Sequence, residues 1–268
     1  MTLNEKKAAY LAASSIGLLF FISVFLAYGA SSKDPASIFF KKIYPAMFVV
    51  NFMVSIFDLE RYATIVQSLD SQVTRRQAID QMIFVQQAKN LARRLGVLPT
   101  AAEESSEKVF LTKNKQDKIP LSQRDLEQFV ILPSAIRSRL AVWYYSDRSS
   151  AEAKNILSRI QSGEKFEDLA KTESDDKITG QFGGDMGFFE RGDILPELES
   201  QIKAAPVGKV FDKLAVSRLG YHIIYLVETA EADGAAKWHA KHILIEGSGF
   251  DSWLAQQAGD IWVWQIMD

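Results

Sequence analysis

Residues 181–194 read QFGGDMGFFERGDI, and the reading of this passage decides the fold. Gly183, Gly184 and Gly187 permit positive φ and close backbone approach, so a short strand can turn here between two helices. As a phosphate loop the passage fails. It lacks the Lys-Ser/Thr ending of a P-loop and the GxGxxG spacing of a dinucleotide fold, and it is rich in aromatic and acidic residues. Working outward, SSAEAKNILSRIQSG (149–163) and KFEDLAKTES (165–174) carry helical patterning before it. LPELESQIKAAP (195–206) predicts a helix after it, and strands fall around Val210 and over Tyr221 to Val227. Upstream, AVWYY (141–145) predicts a strand that opens the unit. The class is α+β, a small antiparallel sheet flanked by helices.

Three pieces of this segment, SGEKFEDLAKTESDD (162–176), GGDMGFFERGDILPELESQI (183–202) and PVGKVFDKLAVSRLGYHIIYLVE (206–228), resemble the parvulin family of peptidyl-prolyl isomerases. The resemblance implies an FKBP-like domain over residues 140–230 that rotates Xaa-Pro peptide bonds with no cofactor. The barrier to that rotation is about 18–20 kcal/mol, and uncatalysed relaxation takes tens to hundreds of seconds. Carried over by position, Met186, Ile194 and Leu198, with Phe189, line the proline pocket, although an aromatic residue is common where Leu198 stands. His222 in GYHII matches the family's second histidine, and Ser217 its hydroxyl residue. Asp176 matches a frequent aspartate, with Asp175 an equally close register. Each residue also has a plain reading: a hydrogen-bonded structural histidine, ordinary core for Met186 and Leu198, and a loop or cap pair for the aspartates.

One position departs from the pattern. Most parvulins begin with a strand ending His-Ile-Leu-Val, whose histidine pairs with the second one across the site floor. The aligned residue here is Val142, which packs in a sheet but cannot hydrogen-bond. His222 would then lack its partner, which counts against isomerase activity and not against the fold. A His-Ile-Leu sequence does occur later, in WHAKHILIEG (238–247), with too little chain after it for a second domain of this type. The C-terminal stretch FDSWLAQQAGDIWVWQIMD (250–268) reads as a short helix and an apolar strand from Ile261 to Met267. Residues 231–268 are therefore expected to return to the N-terminal lobe, both C-terminal strands pairing with a first strand at Ala46 to Val50, so that the parvulin domain is an insertion. His239 and His242, three apart on a strand, point to opposite faces, and with no Cys in the chain no metal site is expected.

Ala8 to Tyr28 carries no charge and, at 1.5 Å per helical residue, spans roughly the 30 Å hydrocarbon core. Lys6 and Lys7 precede it, which puts residues 1–30 as a cytoplasmic tip and membrane anchor and the remainder outside. A cleaved signal peptide, with Ala27-Tyr28-Gly29 near the cleavage site, is the competing reading. Residues 31–139 form a helical lobe in which Asp58 can cap LERYATIVQSL, Thr74 can cap RRQAIDQMIFVQQAKNLARRLGV, and TAAEESSEK starts a further helix. An anchor, a lone strand and amphipathic helices ahead of a parvulin domain resemble the chaperone modules of the SurA and PrsA class of bacterial foldases.

The net charge of −2 supplies no basic field for nucleic acid. The expected partners are the membrane and unfolded or partly folded exported polypeptides containing proline, in the bacterial envelope. Two function classes stand: an isomerase using Asp176 and His222, and a tethered holdase with an inactive parvulin domain. A scaffold role in an envelope complex has no sequence feature of its own.

Overall fold

Apolar β-branched runs and capped amphipathic helices build two units in the computed structural model, which describes residues 45–49, 52–114, 121–232, 234–261 and 263–265. The expected anchor over residues 8–28 and its flanking lysines lie outside the described residues. Among the described residues, no helix is long and apolar enough to cross a membrane.

The first unit holds strands β1 (Pro45–Val49) and β2 (Phe52–Ser55), helix α1 (Ile56–Leu69), the start of α2 (Arg75–Arg94) and the last strand, β8 (Val263–Gln265). Its sheet runs β2-β1-β8, all antiparallel, with Phe48 opposite Trp264 and Val49 opposite Val263. A C-terminal strand thus does return to the first one. The cap of α1 is Ser55 and not Asp58: the Ser55 hydroxyl accepts the Asp58 N–H at 3.1 Å and donates to the Asp58 carboxylate at 2.8 Å. Asp58 sits in the first turn, where its charge also favours the helix dipole. Thr74 caps α2 as expected, with its side chain accepting the Gln77 N–H and the Gln77 side chain accepting the Thr74 N–H, a reciprocal capping box. The α2 stripe is buried at Ile79, Met82, Ala88, Leu91 and Ala92.

The second unit, Ile83–Ile261, begins with the remainder of α2 and continues through α3 (Ala101–Asn114), α4 (Gln123–Leu126), a π-helical turn (Glu127–Ile131) and α5 (Leu132–Ser146). The AVWYY run therefore lies in a helix, correcting the strand expected there. Ile136, Leu140, Ala141, Tyr144 and Tyr145 are buried at helical spacing, and Tyr144 and Tyr145 pack against Phe250, Trp253 and Tyr221. Tertiary packing of that face outweighs the β-propensity of Val, Trp and Tyr. Pro133 directly follows the π-helical turn within one unbroken run of helical backbone, and the widened turn before it accommodates the proline ring and its missing N–H.

The sheet of this unit contains β3 (Asp185–Phe189), β4 (Lys209–Val210), β6 (Gly220–Ala232) and β7 (Ala235–Glu246), in the order β3-β7-β6-β4, with β5 (Ala215–Ser217) also on β6. The β6–β7 hairpin is antiparallel from Gly220 opposite Glu246 to Ala232 opposite Ala235. The WHAKHILIEG strand is thus a central strand of this sheet and does not join β1. The reason is local: a strand joined by a tight turn to its predecessor pairs with it at the least loop-closure cost. Only β8 makes the return journey.

Alternation gives β6 and β7 two faces. Tyr221, Ile223, Tyr225, Ile243 and Ile245 face α5, α6 (Ala151–Gln161) and α7 (Phe166–Glu173), with Tyr225 against Phe166. His222, Ile224, Leu226, Ala240, His242 and Leu244 share the opposite face. There Ile224, Leu226 and Ala240 form a core with Phe189 and with Leu198 and Ile202 of α9 (Pro196–Lys203).

Candidate active site

His222 and Leu244 are opposite one another, as are Ile224 and His242, so the two histidines are diagonal neighbours on one sheet face. Their rings lie within 15° of parallel, and the two Nδ1 atoms are 3.1 Å apart. His242 is the histidine that stands against His222. Val142 is not beside it: it lies on α5, where it lines a cavity with Val216 of β5. The expectation that His239 and His242 diverge is met, because His239 reaches Asp185 at 2.8 Å instead.

Beyond the pair, His222 Nε2 is 2.7 Å from Ser217 Oγ, which also accepts the Leu219 N–H at 3.0 Å. At the other end, His242 Nε2 is 2.9 Å from Asp176 Oδ2 and 3.1 Å from Thr179 Oγ1. Asp176 caps the single-turn helix α8 (Lys177–Gly180), accepting the Ile178 and Thr179 N–H groups and the Thr179 hydroxyl. Asp175 is not in this network. Its carboxylate accepts the Glu246 N–H and its own N–H donates to the Leu244 carbonyl, so it fastens the end of β7 while Asp176 meets the histidine. Buried Ser174 adds a bond from the Leu244 N–H.

With His222 neutral, one proton assignment gives each contact along the chain a donor and an acceptor. The Leu219 N–H donates to Ser217 Oγ, the Ser217 hydroxyl to His222 Nε2, His222 Nδ1–H to His242 Nδ1, and His242 Nε2–H to the Asp176 carboxylate. Electrostatics agree. The hydrogen bond from His242 holds the Asp176 carboxyl well below the usual carboxylate range, with Thr179 assisting against desolvation. Burial pushes His222 down to about 3, with His242 adding to the effect and Asp176 opposing it. His222 is therefore a neutral ring at physiological pH, and Asp176, partly open to solvent, is the charged end of the chain.

The glycine passage sets the spacing. Gly184 has φ +81° and its carbonyl accepts the His242 N–H at 2.9 Å; a Cβ there would stand 2.3 Å from the His242 carbonyl oxygen. Only glycine lets the loop meet β7 at the histidine.

The apolar candidates lie on the same sheet face. Met186 and Ile194 are partly buried against the Ile224-Leu226-Ala240 core, next in register to His242. Leu198 and Phe189 are at 3% and 4% exposure, so they form a floor beneath Met186 and Ile194 and do not line a surface. Of the two phenylalanines of GFF the exposed one is Phe188, beside the His239 ring. Reading by sequence missed Thr179 and passed over His242, although the His-Ile-Leu signal was visible.

Residues 145–228 match the family model described as Rotamase, PPIC-type PPIASE domain. The chain is 34% identical over 140 residues to Foldase protein PrsA 2 of Bacillus anthracis, covering 52% of this chain and 47% of that one. It is 36% identical over 80 residues to Chaperone SurA of Hahella chejuensis, covering 30% and 18%. The matches thus span less than half the length of these relatives. A crystal structure of peptidylprolyl isomerase (PrsA) from Bacillus anthracis aligns at 16% identity and a TM-score of 0.24, over 75% of this chain and 84% of that one. The family match ends before β7, so the strand carrying His242 comes from outside the matched residues.

Proposed function

The chain carries a PPIC-type parvulin domain homologous to those of the PrsA and SurA foldases, and on that premise we propose that it is a foldase that isomerises Xaa-Pro bonds in exported polypeptides. The observation that carries this reading is the chain Asp176-His242-His222-Ser217, complete because β7 supplies the first histidine after the second in chain order. The domain is in effect circularly permuted, its opening strand having moved to its end. The ground for a binding-only protein was Val142 in that strand; the pairing of His242 with His222 supports the isomerase reading over it.

The reaction breaks no covalent bond, so the site must favour a twisted amide over the planar one. Met186 and Ile194 offer an apolar wall for the proline ring, with Leu198 and Phe189 holding it from below. Planar amide resonance places negative charge on the carbonyl oxygen. A fixed carboxylate facing that oxygen, the role proposed for Asp176, raises the planar form more than the twisted one, in which the resonance is lost. His222, held neutral by burial, keeps Ser217 in place without presenting a positive charge that would favour the planar form, and His242 holds Asp176.

Ala8 to Tyr28 supports a membrane anchor, with the lysines before it supporting an extracytoplasmic location for the remainder. Unfolded, proline-containing exported chains are then the substrates. The test is a protease-coupled assay on a short proline peptide with the whole chain. Acceleration abolished by Asp176→Asn supports the reading, and a rate equal to the uncatalysed one rejects it. Protease added outside intact spheroplasts should degrade the chain after residue 30; full protection would reject the location.

A further inference from the structure

The two-residue turn between β5 and β6, Arg218-Leu219, directly follows Ser217, and its Leu219 amide and the Ser217 hydroxyl end the histidine chain. Leu219 is 47% exposed, and its carbonyl accepts the Gly247 N–H at 2.8 Å, which ties one side of the turn to the end of β7. The Arg218 side is held by charge. Glu197 on α9 accepts the Arg218 backbone N–H at 3.0 Å and its Nε–H at 2.8 Å. Glu107 on α3 accepts Nη1–H at 2.9 Å and Nη2–H at 2.6 Å in a forked pair, and also takes the Ser134 hydroxyl at 2.6 Å. Glu107 is 2% exposed, and α3 lies wholly outside residues 145–228 that match the family model.

Burial works against the charge on Arg218, yet its bonds to Glu107 and Glu197 outweigh that and raise its pKa, so the guanidinium is fixed in its charged form. The two glutamates also border a cavity of about 530 Å³ lined by Arg139, Val142 and Val216 among others. The junction is therefore not close-packed, and on the Arg218 side directional ion pairs, more than packing, hold the turn.

We propose that Glu107 is a positioning residue for the isomerase site: through Arg218 it holds the turn that supplies the Ser217 hydroxyl and Leu219 amide to His222. This rests on the isomerase reading for its kinetic consequence, but its geometric consequence stands apart from activity. A helix outside the matched domain thereby sets the geometry of the site within it.

The experiment compares the whole chain with its Glu107→Gln and Glu107→Asp forms, well below the melting temperature. Glu107→Gln breaks the forked pair and leaves Glu197 in place. The expected result is a shifted His222 ring nitrogen resonance, a rise of about tenfold in Leu219 amide exchange and a fall of about tenfold in kcat with little change in KM. Glu107→Asp, which keeps the charge, recovers part of each. Lower melting temperature with unmoved His222 resonances, Leu219 exchange and kcat would make Glu107 a structural staple only and overturn the proposal. Should Glu107→Gln fail to fold, Arg218→Lys removes the fork from the other side and must show the same resonance and exchange changes; unchanged values there overturn the proposal equally. An inactive wild-type chain would reject the isomerase reading, while the His222 resonance would still decide the clamp.

Discussion

Acidification should unfold the second unit through His222, ahead of its carboxylates. The ring is 1% exposed and its folded pKa is pushed down to about 3, whereas an unfolded histidine titrates near ~6.5. The fold prefers the neutral ring, so this contribution to stability is complete above pH ~6.5 and is lost as pH falls toward 3. Each pH unit in that window costs about 1.4 kcal/mol, which comes to roughly 3 kcal/mol at pH 4. Asp176, whose pKa is depressed, acts in the same direction, but its stabilisation is lost only below the unfolded carboxylate value near ~3.9. The range from pH 6.5 to 4.5 therefore isolates the ring from it. Urea unfolding of the wild type and His222→Gln, followed by tryptophan fluorescence, measures the effect, because a glutamine can still accept from Ser217 and donate to His242. The difference between the two stability curves should slope by about 1.4 kcal/mol per pH unit below 6.5. Parallel curves would refute both the neutral ring and the proton assignment built on it.

His242→Ala strips Asp176 and His222 of their shared partner; peptide isomerisation should fall at least tenfold, with a stability loss of about 1–3 kcal/mol by urea titration. Val142→Thr, in the position that sequence alignment put in the same role, should leave the isomerisation rate at the wild-type value. Gly184→Ala forces a left-handed backbone on alanine, about 1–2 kcal/mol before any clash with the His242 carbonyl, so melting temperature and activity should drop together. Met186→Ala removes part of the apolar wall, and at ~0.8 kcal/mol per methylene no longer buried, kcat/KM for a proline peptide should fall about tenfold, with the urea midpoint moving less.

Much of the site was legible because it is written in local patterns. Positive-φ glycines, the GYHII strand and the ESDD turn declare themselves within a few residues, and the resemblance of these motifs to the parvulin family pointed to Asp176, His222, Ser217, Met186 and Ile194. The exposure of Phe188 in place of Phe189 did not, since the β3 register carries a bulge between Asp185 and Phe188 that no local pattern announces. The AVWYY run failed for a related reason: five apolar residues fit a strand or a helix equally, and the choice was made by the aromatic face that Phe250 and Trp253 present to it.

What the sequence by itself determined is the kind of domain and its glycine passage, because dihedral preference, hydrophobic period and family motifs are properties of short segments. What only the tertiary structure decided is which histidine stands against His222. A hydrogen-bonded pair depends on strand order in space, and chain order does not dictate it: β7 follows β6 and still lies between β6 and β3. Val142 held the expected place along the chain; His242 holds it in the sheet.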